Sequence, residues 1–376
     1  MTTIDTIDFA LARVPLDHPA SISTRLLTER HYLLVRVVSD DGARGIGFCY
    51  AGHRAGALSA MAVPELLGPV LLGKDPARVE DLWDAMYAES LLHGRAGSVM
   101  RTLSALDIAL WDLNSRRSAQ PLWAFLGGGG VRSVPAYASG GYYWDGGTLD
   151  DLASEMQSYV GSGFRAVKMK IGRLDARGDS RRIATTREAI GPGVELMLDA
   201  NNAWREVDLA VSAVHEFAPY SPAWIEEPFG PDDIESHARL AQLIDVPVAT
   251  GEIEAGRWRH HELLAREAAS ILQTDAAVCG GITEWRRIAK DADGFGVAMA
   301  PHWFHDLHIH LTAATPNATY VEFFPDSAVL NFRRLVDHQL DVQDGELLLP
   351  ERPGLGFDFD EAAVARFADD GWRRIP

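Results

Sequence analysis

Along the second half of the chain, acids, lysines and one histidine recur at the ends of short apolar runs, where they could hold a divalent cation and move a proton. In residues 166–171, Val167, Met169 and Ile171 alternate with Lys168 and Lys170, so the two-residue period of a strand puts both ammonium groups on one face. Two inward lysines are costly without anions nearby. Residues 195–201 supply one, because Leu196 and Leu198 share one face while Asp199 and Asn201 share the other. The next runs end in Glu226-Glu227-Pro228 and Gly251-Glu252, which places Asp199, Glu226 and Glu252 at successive strand ends, 27 and 26 residues apart. Three converging carboxylates repel one another unless a cation holds them, and hard oxygen donors with room left for water and substrate suit magnesium. Any one of these acids alone is more simply a helix N-cap or a solvated loop residue. The regular placement of all three favours a metal. Alternation leaves open whether Glu226 or Glu227 points inward.

Asp275 ends the sixth run, ahead of Cys279-Gly280-Gly281, and His302 ends the seventh in Ala300-Pro301-His302. A carboxylate accepting from one imidazole nitrogen orients the ring and favours its protonated form, which suits a group that must hold and return a proton. Taken alone, His302 reads as a satisfied core histidine, and His305, His308 and His310 show that histidine is not rare here. Glu322 has apolar neighbours on both sides, so its charge is expensive unless it serves the site or pairs with an arginine. Lys170 and His302 would approach a substrate from different sides. Removing a proton next to a carboxylate creates a doubly charged enediolate, which a metal ion and nearby cations must stabilise. Lys168 suits that role, and its repulsion is expected to lower the pKa of Lys170 toward a neutral amine near pH 7.

Positioning these groups requires a barrel. Eight strand candidates, 134–139, 166–171, 195–201, 223–228, 246–252, 271–275, 296–302 and 319–324, are separated by helical stretches at the spacing of a strand, a helix and two loops. The first fifty residues read instead as antiparallel strands around the turn Asp40-Asp41-Gly42, followed by helical periodicity in 79–87 and 98–114. The fold class expected is α/β: a (β/α)7β TIM-like barrel with an N-terminal α+β capping domain completed by the C-terminal tail. Its expected boundaries are 1–128 for the cap, 129–335 for the barrel and 336–376 for a tail that packs back on the cap.

With 376 residues and 47% hydrophobic content the chain can bury a large core, which excludes a disordered or fibrous protein. A net charge of −18 repels phosphate backbones and anionic bilayers, so neither nucleic acid nor membrane is expected as a partner. A small anionic ligand needs a local cation. Two distant cysteines, Cys49 and Cys279, suggest neither a disulfide framework nor a zinc site, and residues 1–13 lack the pattern of a signal peptide, so a cytoplasmic location is expected. The sequon Asn317-Ala318-Thr319 reads as a chance match.

Lys168-Met169-Lys170, Asp199-Ala200-Asn201, Glu226-Glu227-Pro228, Gly251-Glu252, Asp275 with Gly280-Gly281, His302 and Glu322 together resemble the mandelate racemase subgroup of the enolase superfamily. The likeness spans nearly the whole chain, including Leu126-Gly127-Gly128 and Pro353-Gly354-Leu355-Gly356. The resemblance implies that Asp199, Glu226 (not Glu227) and Glu252 bind Mg2+, that Lys170 and the pair His302/Asp275 are the acid/base groups, and that Glu322 hydrogen-bonds a substrate carboxylate oxygen. It also implies a homo-oligomer and a small carboxylate substrate. The overall reaction stays open among acid-sugar dehydration (aldonate or aldarate), racemisation or epimerisation of a 2-hydroxy acid, and cycloisomerisation; a catalytically silent carboxylate-binding barrel is the reading from another class. Specificity is expected from cap loops 17–30 and 50–54. Their polar residues His18, Arg25, Tyr50 and His53 suit a polyhydroxy acid, with Asn201 and Trp303 also placed to touch substrate. Trp144, Trp303 and Phe304 would supply an apolar wall.

Overall fold

The computed structural model describes residues 2–325 and 329–375. β-branched and apolar alternation around Asp40-Asp41-Gly42 produces three antiparallel strands, β1 (Ile4–Ser21), β2 (Leu26–Ser39) and β3 (Arg44–Tyr50). At the turn Gly42 adopts φ +83°, and Asp41 Oδ1 accepts from the Ala43 N–H at 3.2 Å. Helices α1 (Val79–Ser90) and α2 (Gly97–Arg117) follow, and α2 lies directly against β3. A Cβ on Gly47 would come within 1.9 Å of the Ala105 carbonyl oxygen, so this close approach requires glycine.

The segment 17–30 is not the open loop expected from its polar composition. β1 continues to Ser21 and β2 begins at Leu26, leaving a turn of four residues at the tip. Leu16 and Leu27 are buried within this extension, a register shift between Pro15 and Ala20 absorbs its irregularity, and Ser21 bridges to Tyr143 at the barrel. Burial of two leucines and a tertiary bridge outweigh the local preference for a loop.

The barrel is built from β4 (Ser133–Gly140), β5 (Ala166–Lys170), β6 (Glu195–Asp199), β7 (Pro222–Glu226), β8 (Val248–Thr250), β9 (Ile271–Leu272), β10 (Ala298–Met299) and β11 (Val321–Phe323), all parallel. β11 pairs with β4, and a bridge between Met299 and Ala318 closes the remaining seam. Helices occupy the seven connections: α3 (Leu149–Gly161), α4 (Ala176–Ile190), α5 (Val207–Phe217), α6 (Ile234–Leu243), α7 (Gly256–Ala265), α8 (Gly281–Gly294) and α9 (His305–Ala313). The architecture is therefore (β/α)7β with an α+β cap. Tyr137, Ala166, Met197, Trp224, Ala249 and Ala300 fill the barrel axis, while Val167, Met169, Ile171, Leu196 and Leu198 pack outward toward the helices. That outward set leaves Lys168, Lys170 and Asp199 facing in.

The tail divides its contacts. β12 (Val342–Gln343) and β13 (Glu346–Leu348) add an antiparallel hairpin to β4, whereas β14 (Arg373–Arg374) pairs with β1 of the cap. Cys49 and Cys279 are buried and unpaired. Among the described residues no helix is long and apolar enough to cross a membrane.

Candidate active site

Period-two alternation turns Lys168 into the barrel, where its side chain is fully buried. Its ammonium group lies 2.5 Å from Glu226 Oε1, 2.8 Å from Glu322 Oε1 and 3.6 Å from Asp199 Oδ2, and 5.3 Å from the centre of the Tyr137 ring. Glu322 pairs with this lysine rather than with an arginine. Lys170 reaches the mouth one step farther along β5 and donates to Asp199 Oδ2. Glu226 also accepts from the Trp224 indole N–H at 3.1 Å inside the barrel, while Glu227, equally buried, lines the cavity above it.

The strand ends carry conformational strain that the sequence did not announce. Asn201, Asn202, Glu227 and Trp303 have φ of +43°, +63°, +41° and +77°, all in the left-handed region that side chains disfavour. Cross-strand hydrogen bonds hold two of them, the Asn202 N–H donating to the Glu227 carbonyl at 2.8 Å and the Glu227 N–H to that of Ala249 at 2.9 Å, while the Asn201 N–H donates to Asp199 Oδ1 at 2.9 Å. The Trp303 N–H donates to Glu322 Oε2 at 2.8 Å, which ties the seventh strand end to the eighth.

His302 enters the mouth from beyond β10. Its Nδ1 lies 3.2 Å from Asp275 Oδ2 and its Nε2 lies 3.5 Å from Glu252 Oε2. Asp275 is at once the N-cap of the turn that follows it, accepting from the Ala277 N–H at 2.8 Å, and the orienter of His302. Burial opposes charge on His302, but Glu252 and the bond to Asp275 outweigh it and lift the imidazole to about 9. Burial likewise opposes charge on Lys170, yet the Asp199 carboxylate holds it above its ordinary value. Lys168 does lower Lys170, as expected, but Asp199 in direct contact raises it by more, so the net direction is upward rather than toward a neutral amine. Asp199, which burial alone would raise, is brought to about 2 by Lys170 and Lys168; Glu322 reaches about 2 chiefly through Lys168. Glu226 is pushed up to about 8 by burial and by Asp199, and burial with neighbouring acids also raises Glu227 and Glu252.

A cavity of ≈ 360 Å³ opens over these groups. Its barrel wall includes Lys170, Asn201, Glu252 and His302, and its cap wall includes Arg25, Arg30, Tyr50 and Arg101. Trp303 lines it between the two, with its ring 5.6 Å from that of His302. His18 does not line this cavity. It is exposed, on an adjoining surface cleft with Tyr143, Trp144 and Arg182. His53 also stays outside, half-buried near Arg25 and Arg54. The sequence reading passed over Arg30, Arg101, Tyr142 and Asn202, all of which line the cavity. Arg30 sits among Thr28, Glu29 and His31, so for all four only tertiary placement tells.

Six carboxylates (Asp199, Glu226, Glu227, Glu252, Asp275, Glu322) surround two ammonium groups and one imidazole. Such an anionic surplus, all hard oxygen, fits a divalent cation such as magnesium. Among the described residues no three acid, histidine or cysteine side chains close around one point; Lys168 lies on Glu226 and Lys170 on Asp199.

A capped barrel with lysines, a histidine and carboxylates at its mouth defines the class. Residues 6–127 match the model of the mandelate racemase/muconate lactonizing enzyme N-terminal domain, and residues 151–363 that of the enolase C-terminal domain-like family. The chain belongs to the mandelate racemase/muconate lactonizing enzyme family of the enolase superfamily. It is 33% identical over 97% of its length to 3,6-anhydro-alpha-L-galactonate cycloisomerase of Streptomyces coelicolor, covering 99% of that protein. It is 34% identical over 96% of its length to L-talarate/galactarate dehydratase of Salmonella typhimurium, covering 90% of it. Its structure superposes with a TM-score of 0.92 on L-talarate dehydratase of Polaromonas sp. JS666 complexed with Mg and L-glucarate, at 31% identity, covering all of this chain and 99% of that one.

Proposed function

We infer that this protein abstracts the α-proton of a sugar-acid carboxylate and uses the resulting enediolate to expel a β-hydroxyl, making it a magnesium-dependent acid-sugar dehydratase. The observation that carries this reading is the convergence of Lys170 and His302, from the second and seventh barrel strands, on one cavity beside a buried carboxylate cluster. Relatives that dehydrate sugar acids, and one solved with Mg and L-glucarate, support it.

Asp199, Glu226 and Glu252 would hold the magnesium ion, which when bound supplies positive charge to a substrate carboxylate and to the charge that develops on it. Lys170 is the base. Burial and repulsion from Lys168 favour its neutral amine, and the opposing pull of Asp199 would be weaker with that carboxylate engaged by the metal ion. Lys168, fixed between Glu226 and Glu322, contributes a buried cation to the enediolate. His302, charged at neutral pH and held by Asp275, is the acid that delivers a proton to the departing hydroxyl. Glu322, held ionised by Lys168 and accepting from the Trp303 N–H, is an acceptor in this arrangement and positions Lys168 and the Trp303 backbone rather than donating to a substrate carboxylate oxygen. Asn201 and Trp303 line the space beside the reacting atoms. Cycloisomerisation shares the first step and is the second reading, since a relative of similar identity, 33% against 34%, is a cycloisomerase.

Proton NMR in D2O with magnesium and a panel of aldonic, aldaric and 2-hydroxy acids tests this. Loss of the β-hydroxyl with one deuterium incorporated supports dehydration. Exchange at the α-carbon without net loss favours racemisation, and absence of exchange in every acid would leave a silent binding barrel.

A further inference from the structure

Arg30 is explained neither by the acid/base chemistry nor by packing. It lies on β2, 3% exposed, and its Nε–H donates to the Val329 carbonyl at 3.0 Å. Its guanidinium sits 4.3 Å from the centre of the Trp303 ring and 5.5 Å from that of Tyr50. Among the described residues no carboxylate pairs with it, nor with Arg25 or Arg101 on the same wall of the cavity. Aromatic faces offset part of the cost of burying a guanidinium. They do not supply the anion that such a group ordinarily accompanies. The opposite wall carries an excess of acids, so charge is segregated across a cavity only ≈ 360 Å³ in size.

A ligand that matches both walls carries one carboxylate for the barrel side and a second anion for the cap side. Of the three arginines, only Arg30 is buried; Arg25 is exposed, and Arg101 is half-buried and donates to the Tyr50 carbonyl at 2.7 Å. One committed planar fork between aromatic rings matches one planar carboxylate better than a more highly charged, tetrahedral phosphoryl group. We propose that Arg30, assisted by Arg25 and Arg101, binds a distal carboxylate and makes this protein selective for dicarboxylic sugar acids over monocarboxylic ones. The assignment rests on the α-proton chemistry above and narrows its substrate class. The Trp303 ring lies between Arg30 and His302, 4.3 Å from the guanidinium and 5.6 Å from the imidazole ring.

The test compares kcat/KM, with magnesium, for aldarates, for aldonates of the same length and configuration, and for those aldonates phosphorylated at the terminal carbon. The aldarate is expected to exceed the aldonate by about 100-fold, because a buried cation left unmatched rejects the shorter-charged analogue. In Arg30→Met that ratio should collapse toward unity, and in Arg25→Met it should fall only a few-fold. A structural role for Arg30 would lower both rates together and leave the ratio intact. Equal wild-type rates for the two acids, an unchanged ratio in Arg30→Met, or a preference for the phosphorylated acid overturns the proposal while leaving the α-proton chemistry standing. No exchange with any acid removes that chemistry, and this proposal with it. If Arg30→Met does not fold, the wild-type ratio and Arg25→Met still decide.

Discussion

The barrel wall of the cavity presents Lys170, Glu252 and His302 from strand ends that are cross-braced by backbone hydrogen bonds, and each of these side chains contacts an opposite charge. The cap wall presents Arg25, Arg30 and Arg101 from a hairpin and a helix, and among the described residues no acid pairs with any of them. Groups on the first wall have their charge states set by the protein itself, as the imidazole of His302 shows; groups on the second have theirs left for a ligand to satisfy. This division suits a shared proton-transfer step on one side and a chain-specific choice of substrate on the other.

The largest expected effect comes from the barrel wall. Lys170→Ala and His302→Asn should each lower kcat by about 10³-fold or more for the preferred acid, as removal of a general base or acid does, while circular dichroism stays unchanged. If Lys170→Ala turns over at the wild-type rate in the D2O assay, the assignment of the base fails. Chelation of magnesium should abolish exchange, and its return should restore it; activity that survives dialysis against EDTA would argue that the carboxylate cluster holds no essential ion.

Lys168→Met should instead strike stability, because Glu226 and Glu322 would remain buried without their cation. Breaking a buried ion pair in this way costs about 3–5 kcal/mol, to be read from urea unfolding midpoints.

A smaller effect concerns the seam between cap and barrel. His310, on α9, accepts from the Trp123 N–H through Nδ1 at 3.1 Å and contacts the Leu355 carbonyl through Nε2 at 3.2 Å. Burial holds it down to about 4, against 6.5 for a free imidazole. Between those values the unfolded chain binds the extra proton and the native one does not, so stability rises with pH across the window and is lost as pH falls from 6.5 to 4. Comparing wild type with His310→Gln between pH 4 and 7 should show the variant losing about 2–3 kcal/mol of that dependence. Equal slopes would mean that His310 does not sense pH. Smallest of all, Tyr50→Phe on the cap wall should change KM by a few-fold and leave kcat nearly untouched, since it removes one hydroxyl beside Arg30 and none of the groups on the barrel wall.

Much of the barrel wall was legible in the chain because a strand has a fixed two-residue period. Lys168 and Lys170 had to share a face once Val167, Met169 and Ile171 were assigned to the other, and Asp199 followed by the same rule. Alternation could not choose between Glu226 and Glu227, since the choice depends on where β7 ends and on the left-handed turn at Glu227. It also misjudged the pKa of Lys170. A sequence shows that two lysines are neighbours but not that Asp199 reaches one of them, and at contact distance the attraction outweighs the repulsion.

The cap wall was read poorly for the opposite reason. Segment 17–30 has the composition of a loop, yet burial of Leu16 and Leu27 and the bridge to Tyr143 extend the hairpin through most of it. That extension leaves His18 on a neighbouring cleft and brings Arg30 beneath Trp303.

By itself, then, the sequence determined the barrel, its inward acids and lysines and the pairing of His302 with an acid, because local periodicity dictates which side of a strand each residue occupies. Only the tertiary structure decided the charge on Lys170, the strain at the strand ends and the arginines that close the cavity. Those depend on distances between segments far apart in the chain, which packing sets and no local pattern encodes.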